Sequence, residues 1–195
     1  PKEPYFRAMK FRLLLIAFLW FLCFEGYCQT IAQGDKHVLV VKEDGTVVAW
    51  GTNDVRQCEV PIGLSEVKAV ACGMNTSFAL KEDGTVVAWG GCYDVWGRCE
   101  VPNGLGVVKA ISAPQFGSHV LALKEDGTVV AWGRSGEGQC TVPIGLKDVK
   151  AITTFLYSSI ALKEDGTLVE WGLNKINFEK YWGLEDISGG SWDML

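Results

Sequence analysis

Histidine is almost missing from this sequence: His37 and His119 are the two copies among 195 residues. They lie 82 positions apart, which leaves little for imidazole general acid–base chemistry or for a histidine metal site. Basic excess is missing as well. The formal net charge is −5, so the chain has no broad attraction for phosphate backbones, and nucleic-acid binding is disfavoured. No apolar run reaches membrane-crossing length: residues 13–24 make twelve, against about 20 for a spanning helix. A phosphate-cradling glycine loop, a Ser-His-Asp arrangement and short-spaced Cys/His sets are all absent. The reading therefore assigns no catalytic residue, no metal and no cofactor.

What the sequence does hold is one hairpin written four times, at 41–51, 80–90, 123–133 and 162–172. Each copy runs an apolar stretch into Lys-Glu-Asp-Gly-Thr and out through residues such as Val-Val-Ala-Trp. Asp-Gly between apolar runs is a hairpin signal because glycine tolerates positive φ, which is expected at Gly84 and Gly127. The copies begin 39, 43 and 39 residues apart, a period that fits one propeller blade per repeat. Four strands per unit are expected, at roughly 58–61, 67–72, 77–82 and 85–90, with later counterparts at 99–102 with 107–112 and at 140–143 with 149–153. Strands such as 85–89 lack clean apolar–polar alternation, as in sheets covered on both faces. A meander sheet with one wet face ranks second, and the Val, Thr and Trp content argues against a helical solenoid.

The first 28 residues read differently. Lys10 and Arg12 precede the apolar run, and Glu25, Gly26, Tyr27 and Cys28 follow it, a signal-peptide pattern over 9–28. Residues 1–8, ahead of Met9, read as upstream translation, and 29–195 as the repeat domain. Secretion or a periplasmic location is the expectation. Cleavage there removes four cations and two anions, taking net charge from −5 to −7.

The pattern of Gly, two variable residues and His, then Ala-Leu-Lys-x-Asp-Gly-Thr-Val-x-Ala-Trp-Gly, then Gly-Gln-Cys-x-Val-Pro-x-Gly-Leu, resembles the regulator of chromosome condensation repeat. The variant it is most similar to is the secreted bacterial type that includes β-lactamase inhibitor protein II. The resemblance covers nearly all of 31–195 and implies an all-β propeller that usually has seven blades. About four are present, an open arc, and the pattern stops in mid-hairpin at Leu195. Departures fall at Arg56, where the family has Gly, at Ser135 in place of Asn, at Phe155 in the slot of Gly34 and Gly73, in insertions around 91–97 and 113–117, and at 175–182, which replaces the Gln-Cys-x-Val-Pro segment.

His37 and His119 share a repeat slot with Thr76 and Ser158, so backbone hydrogen bonding within each blade is expected of them. Cys58, Cys99 and Cys140 likewise share one slot and read as small packed residues. Cys92 and Cys99 flank the inserted loop, and in an oxidising compartment they could close a small disulfide. The acidic turns offer two carboxylates each, against the six to eight oxygens calcium needs. Trp50, Trp89, Trp132 and Trp171 are repeat-equivalent and expected in the core. Aromatics outside the pattern, Tyr93, Trp96, Tyr157 and Trp192, are the expected partner-binding residues.

Three functions stay open at this point. The first is a secreted module that binds a protein partner through variable rim loops, since a constant frame with variable tips is how repeat proteins diversify partners. Missing propeller blades or a second copy would be further partners of an open arc. The second is a propeller lyase or hydrolase with a site on the central axis. The third is a β-lactamase-inhibitor-like protein. Nucleotide exchange on a small GTPase conflicts with a secretion signal.

Overall fold

A computed structural model describes residues 30–92 and 96–173. They form twelve strands in four antiparallel sheets of three, each sheet built from consecutive strands. The first sheet is β1 (Ile31–Gln33), β2 (His37–Val41) and β3 (Val47–Gly51). The second is β4 (Val67–Cys72), β5 (Thr76–Lys81) and β6 (Val86–Gly90), and the third is β7 (Val108–Ser112), β8 (His119–Lys124) and β9 (Val129–Gly133). The fourth is β10 (Val149–Phe155), β11 (Ser158–Lys163) and β12 (Leu168–Gly172). No described residue is helical. The fold is all-β, an open arc of propeller blades.

The second and third strands of each sheet meet in the Lys-Glu-Asp-Gly-Thr hairpin. In the first, Gly45 N donates to Lys42 O and Lys42 N to Thr46 O. The glycine must turn left-handed to do this, and Gly45, Gly84, Gly127 and Gly166 have φ of 73°, 83°, 76° and 82°. The aspartate locks the turn: Asp44 Oδ1 accepts from Thr46 N at 2.9 Å, and Asp83, Asp126 and Asp165 repeat the bond. With these carboxylates occupied by their own threonine and lysine, the turns are built for geometry and not for calcium.

The fourth strand expected in each unit does not form. Segments 57–61, 98–102 and 139–143 run as successive turns, because their backbone donors bond locally: Val60 N reaches Cys58 O, Val101 N reaches Cys99 O and Val142 N reaches Cys140 O, at 3.0–3.1 Å. The prolines that follow have no N–H for a ladder. The segment instead packs against the sheet that follows it: Gln57 O accepts from Ser77 Oγ and Trp89 Nε1, and Val60 joins the cluster between the first and second sheets.

Sheets stack through their faces. Leu39 and Val47 of the first pack with Val67, Val70, Cys72, Ala79 and Trp89 of the second. Phe78, Leu80 and Val86 of the second meet Val108, Ile111, Val120, Ala122 and Trp132 of the third. Leu121, Leu123 and Val129 of the third meet Val149, Ile152, Ala161 and Trp171 of the fourth. Middle strands such as β5 and β8 are buried at every position but the last, which is why their sequences do not alternate. Each large apolar side chain covered in this way contributes roughly 1.5–3 kcal/mol.

One expectation about the core fails. Trp89, Trp132 and Trp171 are 6–7% exposed, but Trp50 is 50% exposed. The buried indoles each donate Nε1–H to a carbonyl of the preceding turn segment: Trp89 to Gln57, Trp132 to Arg98, Trp171 to Gln139, at 2.8–3.0 Å. Trp50 stands ahead of the first such segment among the described residues.

Candidate functional site

Each sheet has a hairpin rim, where the Lys-Glu-Asp-Gly turns lie, and a loop rim at its other end. At the loop rim the residue after each Trp-Gly or equivalent pair donates its N–H to the loop before the second strand. Thus Thr52 bonds to Lys36, Gly91 to Asn75, Arg134 to Ser118 and Leu173 to Tyr157. These bonds fix side chains that would otherwise be mobile loop residues. Contacts at this rim also cross between blades: Gln115 Nε2 donates to Gly34 O at 3.1 Å, and Ser112 Oγ of β7 and Thr154 Oγ1 of β10 are 2.9 Å apart.

Both histidines sit just beneath this rim, 1% exposed. His37 Nε2 lies 3.1 Å from Ser77 Oγ of the next sheet, and His119 Nε2 lies 3.1 Å from Ser159 Oγ. The pairs look like nucleophile and base, but the hydrogen bonds run the wrong way. Each serine donates its one hydrogen to a carbonyl at 2.7 Å, Ser77 to Gln57 and Ser159 to Gln139. The imidazole must then donate from Nε2, so it withdraws no proton from serine. Burial pushes His119 down to about 4, with the Ser158 backbone pulling weakly upward. Burial lowers His37 too, against the charge of Asp35. These are clamps between neighbouring blades. The expected bond to backbone within one blade is corrected to a side-chain bond across two, relayed to backbone by serine.

The clamp alternates. Where the second sheet meets the third, the histidine slot holds Thr76 and the serine slot holds Val120, while Arg98 replaces the glutamine. Thr76 Oγ1 is buried there without a hydrogen-bond partner. That joint relies on the Phe78, Leu80 and Ile111 cluster instead.

The exposed chemistry gathers around Arg134. Its guanidinium carbon lies 4.9 Å from the centroid of Trp96 and 5.3 Å from that of Tyr157. Arg134 follows β9, Tyr157 comes from the β10–β11 loop of the next blade, and Trp96 from the insertion after β6. Two residues expected to bind a partner are thereby joined by a cation that sequence reasoning did not single out. The available signal was the slot after Trp-Gly, which holds Thr52, Gly91, Arg134 and Leu173: one position of the four is charged. Trp96 is 43% exposed and Tyr157 half-buried. Tyr93 and Trp192 lie outside the described residues.

Cys92 and Cys99 are joined by a disulfide that closes the segment bearing Trp96. In the other units the cysteine equivalent to Cys99 is a free thiol bonding locally: Cys58 Sγ donates to Thr52 O and Cys140 Sγ to Arg134 O. Cys72 is buried, which pushes its thiol up to about 12, far from a reactive thiolate. Among the described residues no three His, Cys, Asp or Glu side chains are grouped to hold a metal ion.

The sequence profile of the regulator of chromosome condensation (RCC1) repeat matches residues 28–57, 67–91 and 117–139. Yeast RCC1 (Prp20), solved with Kap60 bound to it, superposes with a TM-score of 0.61 at 26% identity, covering 74% of this chain and 43% of that one. The ectodomain of the Physcomitrella patens receptor kinase CR4 superposes at 0.62 with 23% identity, covering 75% and 40%. Human WBSCR16 superposes at 0.59 with 21% identity, covering 73% and 46%. The chain thus spans less than half the length of each. No curated protein matches the sequence. These findings overturn the expected secreted bacterial type, similar to β-lactamase inhibitor protein II, and with it the signal-peptide reading and the secreted or periplasmic location: the likeness runs to a yeast RCC1 that was solved with Kap60. A twelve-residue apolar run shows only that apolar side chains need cover, which is not an address. Over four blades, the chain is similar to RCC1-repeat propellers.

Proposed function

We propose that this chain is a protein-binding propeller module whose partner meets the loop rim at Trp96 and Tyr157, with Tyr93 and Trp192 as further contacts. The observation that carries the reading is the Trp96–Arg134–Tyr157 group. Binding hot spots are enriched in Trp, Tyr and Arg, and here three side chains from two blades and an insertion converge. The frame beneath them is constant while its rim residues vary, which suits recognition better than chemistry. Among similar structures, yeast RCC1 (Prp20) was solved with the protein Kap60 bound to it.

A photo-crosslinking amino acid in place of Trp96 tests the reading directly. It should capture a protein in extracts of the source cells, while the same group in place of Glu82 on the hairpin rim should not. Equal capture at both positions would refute a rim-specific surface.

A further inference from the structure

We propose that Arg134 is the anchor for a carboxylate, an Asp or Glu side chain presented by the partner protein; this rests on the loop-rim reading above and names the chemistry it would recognise. The guanidinium carbon lies over the rings of Trp96 and Tyr157, 4.9 and 5.3 Å from their centroids. A stacked guanidinium loses water from its faces but keeps its in-plane N–H donors, whose fork matches a carboxylate with two parallel hydrogen bonds. Nε of Arg134 is buried with no hydrogen-bond partner. The outer Nη edge is what a ligand can reach.

Five other cations among the described residues are paired within the chain, while Lys36, Lys68, Lys109, Lys147 and Lys150 make no ion pair there but are not held between aromatic rings as Arg134 is. Lys42, Lys124 and Lys163 each pair with the aspartate of their own turn, Lys81 with Glu66 and Asp83, and Arg56 with Glu59. No carboxylate among the described residues pairs with Arg134. The site therefore holds a positive charge that is oriented, half-dried and uncompensated, on a chain of net charge −5. A partner carboxylate would complete it, whereas a cationic or purely apolar contact would leave the guanidinium more poorly solvated than in the free protein. The aromatic pair holds the cation in one orientation before the partner arrives, so less conformational entropy is lost on binding.

Gly136 supplies an internal check. A Cβ there would lie 3.9 Å from Arg134 Nε and within 4 Å of no other described residue, so Gly136→Asp places a carboxylate beside the guanidinium in the chain itself.

The test measures fluorescence anisotropy of labelled hexaglutamate and hexaglutamine with the full chain at low salt. Wild type should bind hexaglutamate at least tenfold more tightly than hexaglutamine. Arg134→Gln and Gly136→Asp should each erase that preference, by removing the cation and by satisfying it in cis, while Arg56→Gln stays within twofold of wild type. Thermal melts establish that each variant is folded, and Gly136→Asp, which leaves all three side chains in place, decides the matter if Arg134→Gln unfolds. Equal affinity of wild type for both peptides, or a preference that survives in a folded Gly136→Asp chain, overturns the proposal. Crosslinking at position 96 separates the two readings: capture that persists in an Arg134→Gln background leaves the rim surface standing without its carboxylate, and no capture by the wild-type background removes the surface itself.

Discussion

Single residues carry most of the departures from the repeat, and their costs are open to measurement. Arg56 has φ of 67°, whereas the equivalent positions hold Gly97 at 63° and Gly138 at 79°. A left-handed conformation costs a non-glycine residue roughly 1–2 kcal/mol, so Arg56→Gly should stabilise the chain by about 1 kcal/mol in denaturant titrations; an unchanged midpoint would refute strain at that turn. The buried histidines make a second prediction, with a definite sign. A histidine whose folded pKa is lowered is held neutral by the fold, so the unfolded chain binds the extra proton. Its contribution is complete above the unfolded value of 6.5 and drains away as pH falls toward about 4, the folded value for His119. At about 1.4 kcal/mol per unit this amounts to roughly 3 kcal/mol for His119. Melting temperature should fall steeply between pH 6.5 and 4, and His119→Gln should flatten that slope. The turn aspartates Asp44, Asp126 and Asp165, lowered to about 2 by their threonine bonds, lose their contribution at lower pH, between about 4 and 2.

At the scale of the element, the hairpins separate conformational strain from steric conflict. Gly84 and Gly127 have similar φ, 83° and 76°. A Cβ on Gly84 would lie 2.6 Å from Val107 Cγ1 and 2.8 Å from Val108 N, while one on Gly127 would come no nearer than 3.4 Å to Asp148 and Val149. Gly127→Ala should therefore cost about 1 kcal/mol from φ alone, and Gly84→Ala clearly more, because backbone of the next blade must shift; equal losses in thermal melts would count against that packing. These hairpins were legible in the sequence because their signal is local, an Asp-Gly between apolar runs. The absent fourth strand was not. Residues 58–61 carry strand-like Val and a tidy boundary, and whether they pair with β4 depends on where Val60 N finds an acceptor, which is settled by Cys58 O within the same segment. The histidines were legible as a shared slot, but their partners lie forty residues on in another blade. Arg134 was overlooked because its role exists only where the loop of one blade meets the next.

The described residues form a row of four sheets whose joints are of two kinds, and the first of these sheets is the least covered. Trp132 loses an indole bond to Arg98 O and its packing when replaced, whereas Trp50 is half in solvent. Trp132→Phe should cost at least 1 kcal/mol and Trp50→Phe less than about 0.5 kcal/mol; similar losses would mean that Trp50 is covered in solution. The alternation of clamps has a consequence for how such a row comes apart. The first and third joints are fastened by a titratable ring, and the middle joint by Phe78, Ile111 and their apolar neighbours. Mild acid loosens the outer seams and spares the central one, while cooling, which weakens apolar association, tells most on the centre. Detachment from the ends inward under acid, and a split down the middle in the cold, are thus two routes of disassembly written into one chain by the choice of His37 and His119 over Thr76.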